Sequence, residues 1–164
     1  MRRKRPYNDL TCLICGFHAG DPSVMQKSVL LCKKYGVQVG AHPGLPDLQG
    51  FGRRKMAISP AQAEENVIYQ IGALKAFCDA AGVPLHHVKP HGALYNMAAK
   101  DPELAAAICR AVKAAAPEAM LLALWGSEIS RPHRHWGCVS AARCLPTGAI
   151  SLTALLCRAA SPAR

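Results

Sequence analysis

Three histidines in the first hundred residues share one local setting. His18 follows Leu13-Ile14-Cys15-Gly16-Phe17, His42 follows Val37-Gln38-Val39-Gly40-Ala41, and His91 follows Val88-Lys89-Pro90 and precedes Gly92. In each, an apolar strand-like run breaks at glycine or proline and delivers an imidazole. Imidazole suits general acid–base work near neutral pH and the ligation of a divalent metal. The three are therefore candidate catalytic residues and, as a set, candidate metal ligands. Asp21 adds a carboxylate three residues past His18, although before Pro22 it is equally placed to cap a helix. Lys89 lies two residues before His91, on the same face of the chain as it leaves its strand. Arg53 and Arg54 end the long loop Pro43-Gly44-Leu45-Pro46-Asp47-Leu48-Gln49-Gly50-Phe51-Gly52, where paired guanidinium groups suit an anion; a solvent-facing connection is the plain alternative.

The elements that must position these residues follow from start and stop signals. Asp21-Pro22 opens a helix with Val24, Met25, Val29 and Cys32 as its apolar face, and Gly36 stops it. Ser59-Pro60 opens a long helix through Ala81, with Val67, Ile71, Leu74 and Phe77 or Cys78 turned inward and Gly82 as the stop. Asp101-Pro102 opens an alanine-rich helix to about Ala116. Strands are expected over Asp9–Cys15, into His42, from His86 toward His91, and over Met120–Leu124. Alternation of strands and helices implies parallel pairing through crossovers. About four parallel strands make an α/β fold of incomplete (β/α) barrel type, since four do not close the usual eight. Loops at the carboxyl ends of such strands form ligand sites, so the three histidines are predicted to converge at one end of the sheet. His86 and His87 lie at the other end of their strand and are assigned to packing or solvent.

The chain has 164 residues, 51% of them hydrophobic and 18% charged, with a net charge of +10. That charge is not spread over a face. Four basic residues fall in Arg2–Arg5 and five follow Glu128, while residues 6 to 128 carry eleven Lys and Arg against ten Asp and Glu. A nearly neutral body argues against nucleic acid. No apolar run reaches the roughly 20 residues of a membrane helix, and the basic start lacks the apolar segment of a signal peptide. A cytoplasmic protein without membrane contact is expected. Eight cysteines include Cys12 and Cys15 at C-x-x-C spacing, but no second pair lies at zinc-finger distance, so buried thiols are the expectation.

Five motifs in order, Cys-Gly-Phe-His-Ala-Gly-Asp-Pro (15 to 22), Gly-Ala-His-Pro-Gly (40 to 44), Asp-Leu-Gln-Gly-Phe-Gly-Arg-Arg (47 to 54), Tyr-Gln-Ile-Gly-Ala-Leu (69 to 74) and Val-Lys-Pro-His-Gly-Ala-Leu-Tyr-Asn (88 to 96), resemble the LamB/YcsF family over about residues 11 to 128. The resemblance implies a distorted β/α barrel related to the glycoside hydrolase/deacetylase superfamily. It also implies a role as the A component of a 5-oxoprolinase, which opens 5-oxoproline to glutamate with ATP and Mg2+ together with subunits B and C. On that footing His18, His42, His91 and Asp21 are the catalytic candidates, Lys89, Arg53, Arg54 and Asn96 the substrate-binding ones, and a divalent metal on the three histidines stays open.

The sequence departs from the family pattern at both ends. An Asp-Leu-Asn-x-Asp-x-Gly-Glu strand does not precede the first motif, Cys12 stands where the family has Asn, and the later Phe-Ala-Asp-Arg and Pro-Arg-x-x-x-Gly-Ala motifs are missing. The expectation is a barrel domain over residues 1–128 that is inactive alone, followed by an atypical basic tail over 129–164. Enrichment of the tail in Arg, Pro, Cys and His suggests a frameshift product, with Ile150–Cys157 forming a chance helix. A non-catalytic fragment of the family and a carbohydrate deacetylase-like hydrolase are the alternatives.

Overall fold

A computed structural model of the chain describes residues 10–131, 138–141 and 152–157. The elements run β1 (Leu10–Ile14), α1 (Pro22–Tyr35), β2 (Gln38–His42), α2 (Pro60–Ala81), β3 (Leu85–Val88), α3 (Gly92–Ala98), α4 (Pro102–Ala115), β4 (Met120–Leu124), a single 3-10 turn (Glu128–Ser130), β5 (Cys138–Ala141) and β6 (Leu152–Cys157).

The helices begin where side-chain oxygens capture otherwise unpaired N–H groups. Asp21 accepts from Val24 N at 2.8 Å, Asp101 from Glu103 N and Leu104 N, and Ser59 forms a reciprocal box with Gln62, each just before a proline. Gly36 and Gly82 end α1 and α2 in the left-handed conformation. In α1 the buried side chains are Met25, Val29 and Cys32, spaced four and three apart, whereas Val24 is exposed. The sequence pattern puts Val24 on the inner face; it sits about 100° around the helix from Met25, which removes it from that stripe. In α2, Ala63, Val67, Gln70, Ile71, Leu74 and Cys78 form one buried stripe.

The sheet order is β1-β2-β3-β4-β6-β5, with the first four strands parallel and in sequence order and the last two antiparallel. Sequential order, with α1 packed on α2 and α2 on α4, describes a singly wound wall like a stretch of barrel, not a doubly wound sheet. Val39, Ala41, Val88, Leu121 and Ala123 are fully buried and join the helices' core. The intervening residues, Cys12, Gly40, His42, His87 and Lys89, belong to the opposite face of the sheet.

One expectation is overturned here. Residues 152–157, within the stretch expected to form a chance helix, form β6, which pairs along the whole of β4. A six-residue apolar run has no period long enough to choose between states, and β4 offers a row of unpaired N–H and C=O groups that a strand can satisfy. The rest of the tail, and the arm before Leu10, lie outside the described residues. Among the described residues no helix is long and apolar enough to cross a membrane.

Candidate functional site

Each of the three histidines is held by a different strand exit. His18 lies in the turn between β1 and α1, His42 is the last residue of β2, and His91 is the N-cap residue of α3 just after β3. Parallel pairing puts these exits side by side, and the rings meet. His91 stacks flat on His18, centroids 4.0 Å apart and planes 4° from parallel, and lies edge-on to His42 at 4.7 Å. The predicted convergence at one end of the sheet is observed.

Hydrogen bonds then distinguish the three. His42 Nδ1 lies 2.6 Å from Lys89 O, His42 Nε2 is 2.9 Å from His91 Nδ1, and His91 Nε2 is 2.8 Å from Phe51 O. His18, only 1% exposed, has no partner for either ring nitrogen among the described residues. Burial, reinforced by the neighbouring His91 and His42, pulls His18 down to about 4, so it is neutral near pH 7. His42 is also pulled down to about 4, mainly by burial, with its bond to Lys89 O opposing.

The loop between β2 and α2 is an ordered cover for this cluster, not a bare connection. Its first part is clamped by Gln70 of α2: Gly44 N donates to Gln70 Oε1 at 2.9 Å, and Gln70 Nε2 donates back to Gly44 O at 2.9 Å. Further on, Asp47 accepts from Gly50 N and pairs with Arg54, which holds its carboxyl down to about 2. Phe51 sits at φ 53°, unusual for a bulky residue, with its ring edge-on to His18 and His91 and its carbonyl on His91. Replacing Gln70 with leucine keeps the volume but strands Gly44 N and O in a buried site. We expect a loss of about 3 kcal/mol, read as a lowered urea midpoint; an unchanged midpoint would show that the clamp is idle.

The sequence model of the LamB/YcsF family matches residues 11–157. This chain belongs to that family. It is 61% identical over 117 residues to the A component of 5-oxoprolinase from Bacillus licheniformis, covering 71% of this chain and 46% of the relative. It is 57% identical over 125 residues to that of Tolumonas auensis, covering 76% and 50%. The crystal structure of the lactam utilization protein from Thermus thermophilus superposes with a TM-score of 0.75 at 54% identity, covering 77% of this chain and 51% of that one. The chain thus spans about half the length of these relatives, and the family match runs on past residue 128.

Within this LamB/YcsF site the other candidates part company. Lys89 is half-buried and its charge is felt at Cys12, His42 and His87. Arg53 is exposed, with its guanidinium 5.7 Å from the Phe51 ring centre. Arg54 is committed to Asp47, Asp21 to capping α1, and Asn96 is exposed on α3. The histidines do not fit a metal: two rings are stacked in parallel, the third spends its nitrogens on His91 and Lys89 O, and among the described residues no group of three His, Cys, Asp or Glu is placed for an ion.

Sequence reasoning assigns His87 to packing or solvent. It is fully buried and reaches across Gly40 to place Nε2 3.4 Å from Cys12 Sγ, with Nδ1 3.2 Å from His86 Nδ1. Cys12, Gly40 and His87 pair in register across three strands, and a Cβ on Gly40 would overlap the His87 ring. A glycine inside a strand is the signal that announces such a close approach. Burial pulls His87 down to about 4.

Proposed function

We propose that this chain acts as the corresponding part of the A component of a 5-oxoprolinase, contributing to the ATP-dependent opening of 5-oxo-L-proline to L-glutamate together with subunits B and C. The observation that carries this reading is the 61% identity to a relative of that name; the histidine cluster supplies the chemistry. Opening a lactam requires an acid or base at the amide and positive charge near the carboxylate and the developing oxyanion. His18, neutral and with neither ring nitrogen hydrogen-bonded among the described residues, is the group able to exchange a proton. Lys89 beside His42 supplies charge for the carboxylate, and the loop bearing Phe51 covers the cluster.

ATP would activate the amide by phosphoryl transfer. The residues present do not fit it: a triphosphate needs several converging donors, and the described site offers Lys89 and Arg53, with Arg54 held by Asp47.

The test is glutamate formation from 5-oxoproline by the chain mixed with subunits B and C. We expect ATP-dependent turnover that falls about 100-fold or more in His18→Ala, the range of a lost acid–base group. No turnover above that of subunits B and C alone would overturn the reading.

A further inference from the structure

A group that exchanges a proton with a ligand has to touch it, and His18 is 1% exposed with both ring nitrogens buried. Its neighbours show which way it can be uncovered. His91 covers one ring face at 4.0 Å, and His42 stands edge-on at 5.9 Å. The loop after β2 supplies the rest. A Cβ on Gly44 would lie 2.6 Å from His18 Nδ1 and one on Gly52 2.9 Å from His18 Cβ, so bare backbone packs against the ring, and the Phe51 ring stands edge-on at 5.4 Å.

Most of these neighbours are fixed. His42 pairs with Ile14 inside the sheet, His91 N donates to Pro43 O at 2.8 Å, and Gln70 clamps Gly44 at both N and O. Phe51 and Gly52 are held differently. They belong to residues 47–54, a segment bonded chiefly to itself: Gly52 N donates to Asp47 O at 2.8 Å, Arg53 N to Gly50 O at 3.0 Å and Gly50 N to the Asp47 carboxylate at 2.9 Å, while Arg54 closes the ring of contacts on Asp47. Among the described residues two hydrogen bonds tie this segment to the body across the cluster, Ala93 N to Gly52 O at 2.9 Å and His91 Nε2 to Phe51 O at 2.8 Å. Pro46 on one flank is exposed, and so are Lys55, Met56 and Ala57 on the other, which make no hydrogen bond among the described residues.

We propose that residues 47–54 form a flap that swings as one piece about Pro46 and residues 55–57, and that its opening admits a ligand to His18. Two hydrogen bonds and the edge contacts of one ring hold it shut, whereas the sheet and helices behind it are closed by the whole core; local opening is therefore far less costly than unfolding. Arg53 and Phe51 travel with the flap, so closure brings a guanidinium and an aromatic ring down beside whatever His18 meets.

The motion is read from the contacts; that His18 meets a lactam rests on the proposed function. Amide hydrogen exchange of the full chain in low urea tests the motion. The Ala93 amide should exchange at a rate nearly independent of urea and faster than the core amides of β2, because opening the flap exposes little surface. Labelling of His18 by diethyl pyrocarbonate should be equally insensitive to urea, and should rise about tenfold in Phe51→Ala, which loses the ring contacts and keeps the carbonyl. The Gly52 amide, bonded within the flap, should stay better protected than Ala93. If Ala93 exchange and His18 labelling rise with urea in step with the core amides, the flap is overturned; equal rates at Gly52 and Ala93 overturn it as a single piece. Local opening without turnover alongside subunits B and C keeps the flap and removes the oxoprolinase reading. Turnover that is lost in His18→Ala, without local opening, removes the flap and keeps that reading.

Discussion

A Gly92→Ala chain is expected to lose about 3 kcal/mol or more of folding stability and to release the cover from the histidine cluster. Gly92 opens α3 at φ 53°, a region that costs an L residue strain in its own right. Its missing side chain faces Gly52 O, the same oxygen that accepts from Ala93 N at 2.9 Å. A methyl group there meets backbone, which cannot swing aside as a side-chain tip can. The loop must move, and with it Phe51 O, one of the two carbonyls that bracket the histidine pair. Urea denaturation gives the stability, and the His91 imidazole signals report the site. A variant within about 0.5 kcal/mol of the parent, as for an ordinary surface change, would show that the contact is not tight.

Acid should begin to destabilise this protein before its carboxylates titrate. His18 and His87 are buried and neutral, with folded values near 4 against 6.5 for a free imidazole. Between those values the unfolded chain binds protons that the folded chain refuses, so stability falls as pH drops from 6.5 to 4 and gains no further slope from these rings below 4. Each ring contributes up to about 3 kcal/mol over that window, a large share of the roughly 5–15 kcal/mol that holds a domain together. Asp47, held near 2 by Arg54, then loses its contribution as pH falls from the ordinary carboxylate range through 2. Urea midpoints measured at pH 7, 6, 5 and 4 test this; midpoints flat from 6.5 to 4 would mean that the rings are solvated.

What the sequence made legible was whatever depends on neighbours along the chain. Asp21-Pro22 with Gly36, Ser59-Pro60 with Gly82, and Asp101-Pro102 bound three helices within a residue or so of their observed limits, because capping is settled by atoms two or three positions apart. The meeting of His18, His42 and His91 was legible too, since equivalent positions on adjacent parallel strands must be neighbours. Less visible was anything set by contacts across the sheet. α3 follows β3 without a side-chain cap to announce it. The commitment of Arg54 to Asp47 depends on how the loop folds back. The row of Cys12, Gly40 and His87 exists only because of strand register, and β6 because β4 has an edge to satisfy.

The two oxygens that close the histidine pair, Lys89 O and Phe51 O, belong to the main chain. Every amino acid carries that atom, so the acceptors survive any replacement that leaves the backbone path alone. Position 89 can therefore change its side chain and keep the acceptor for His42, although replacing Lys89 removes a positive charge that bears on His42 and His87. Position 51 keeps its acceptor in the same way, although the Phe51 ring packed edge-on against His18 and His91 goes with the side chain. The orientation of the two imidazoles is thus held by peptide geometry, while the side chains at 51 and 89 set the packing and charge around them.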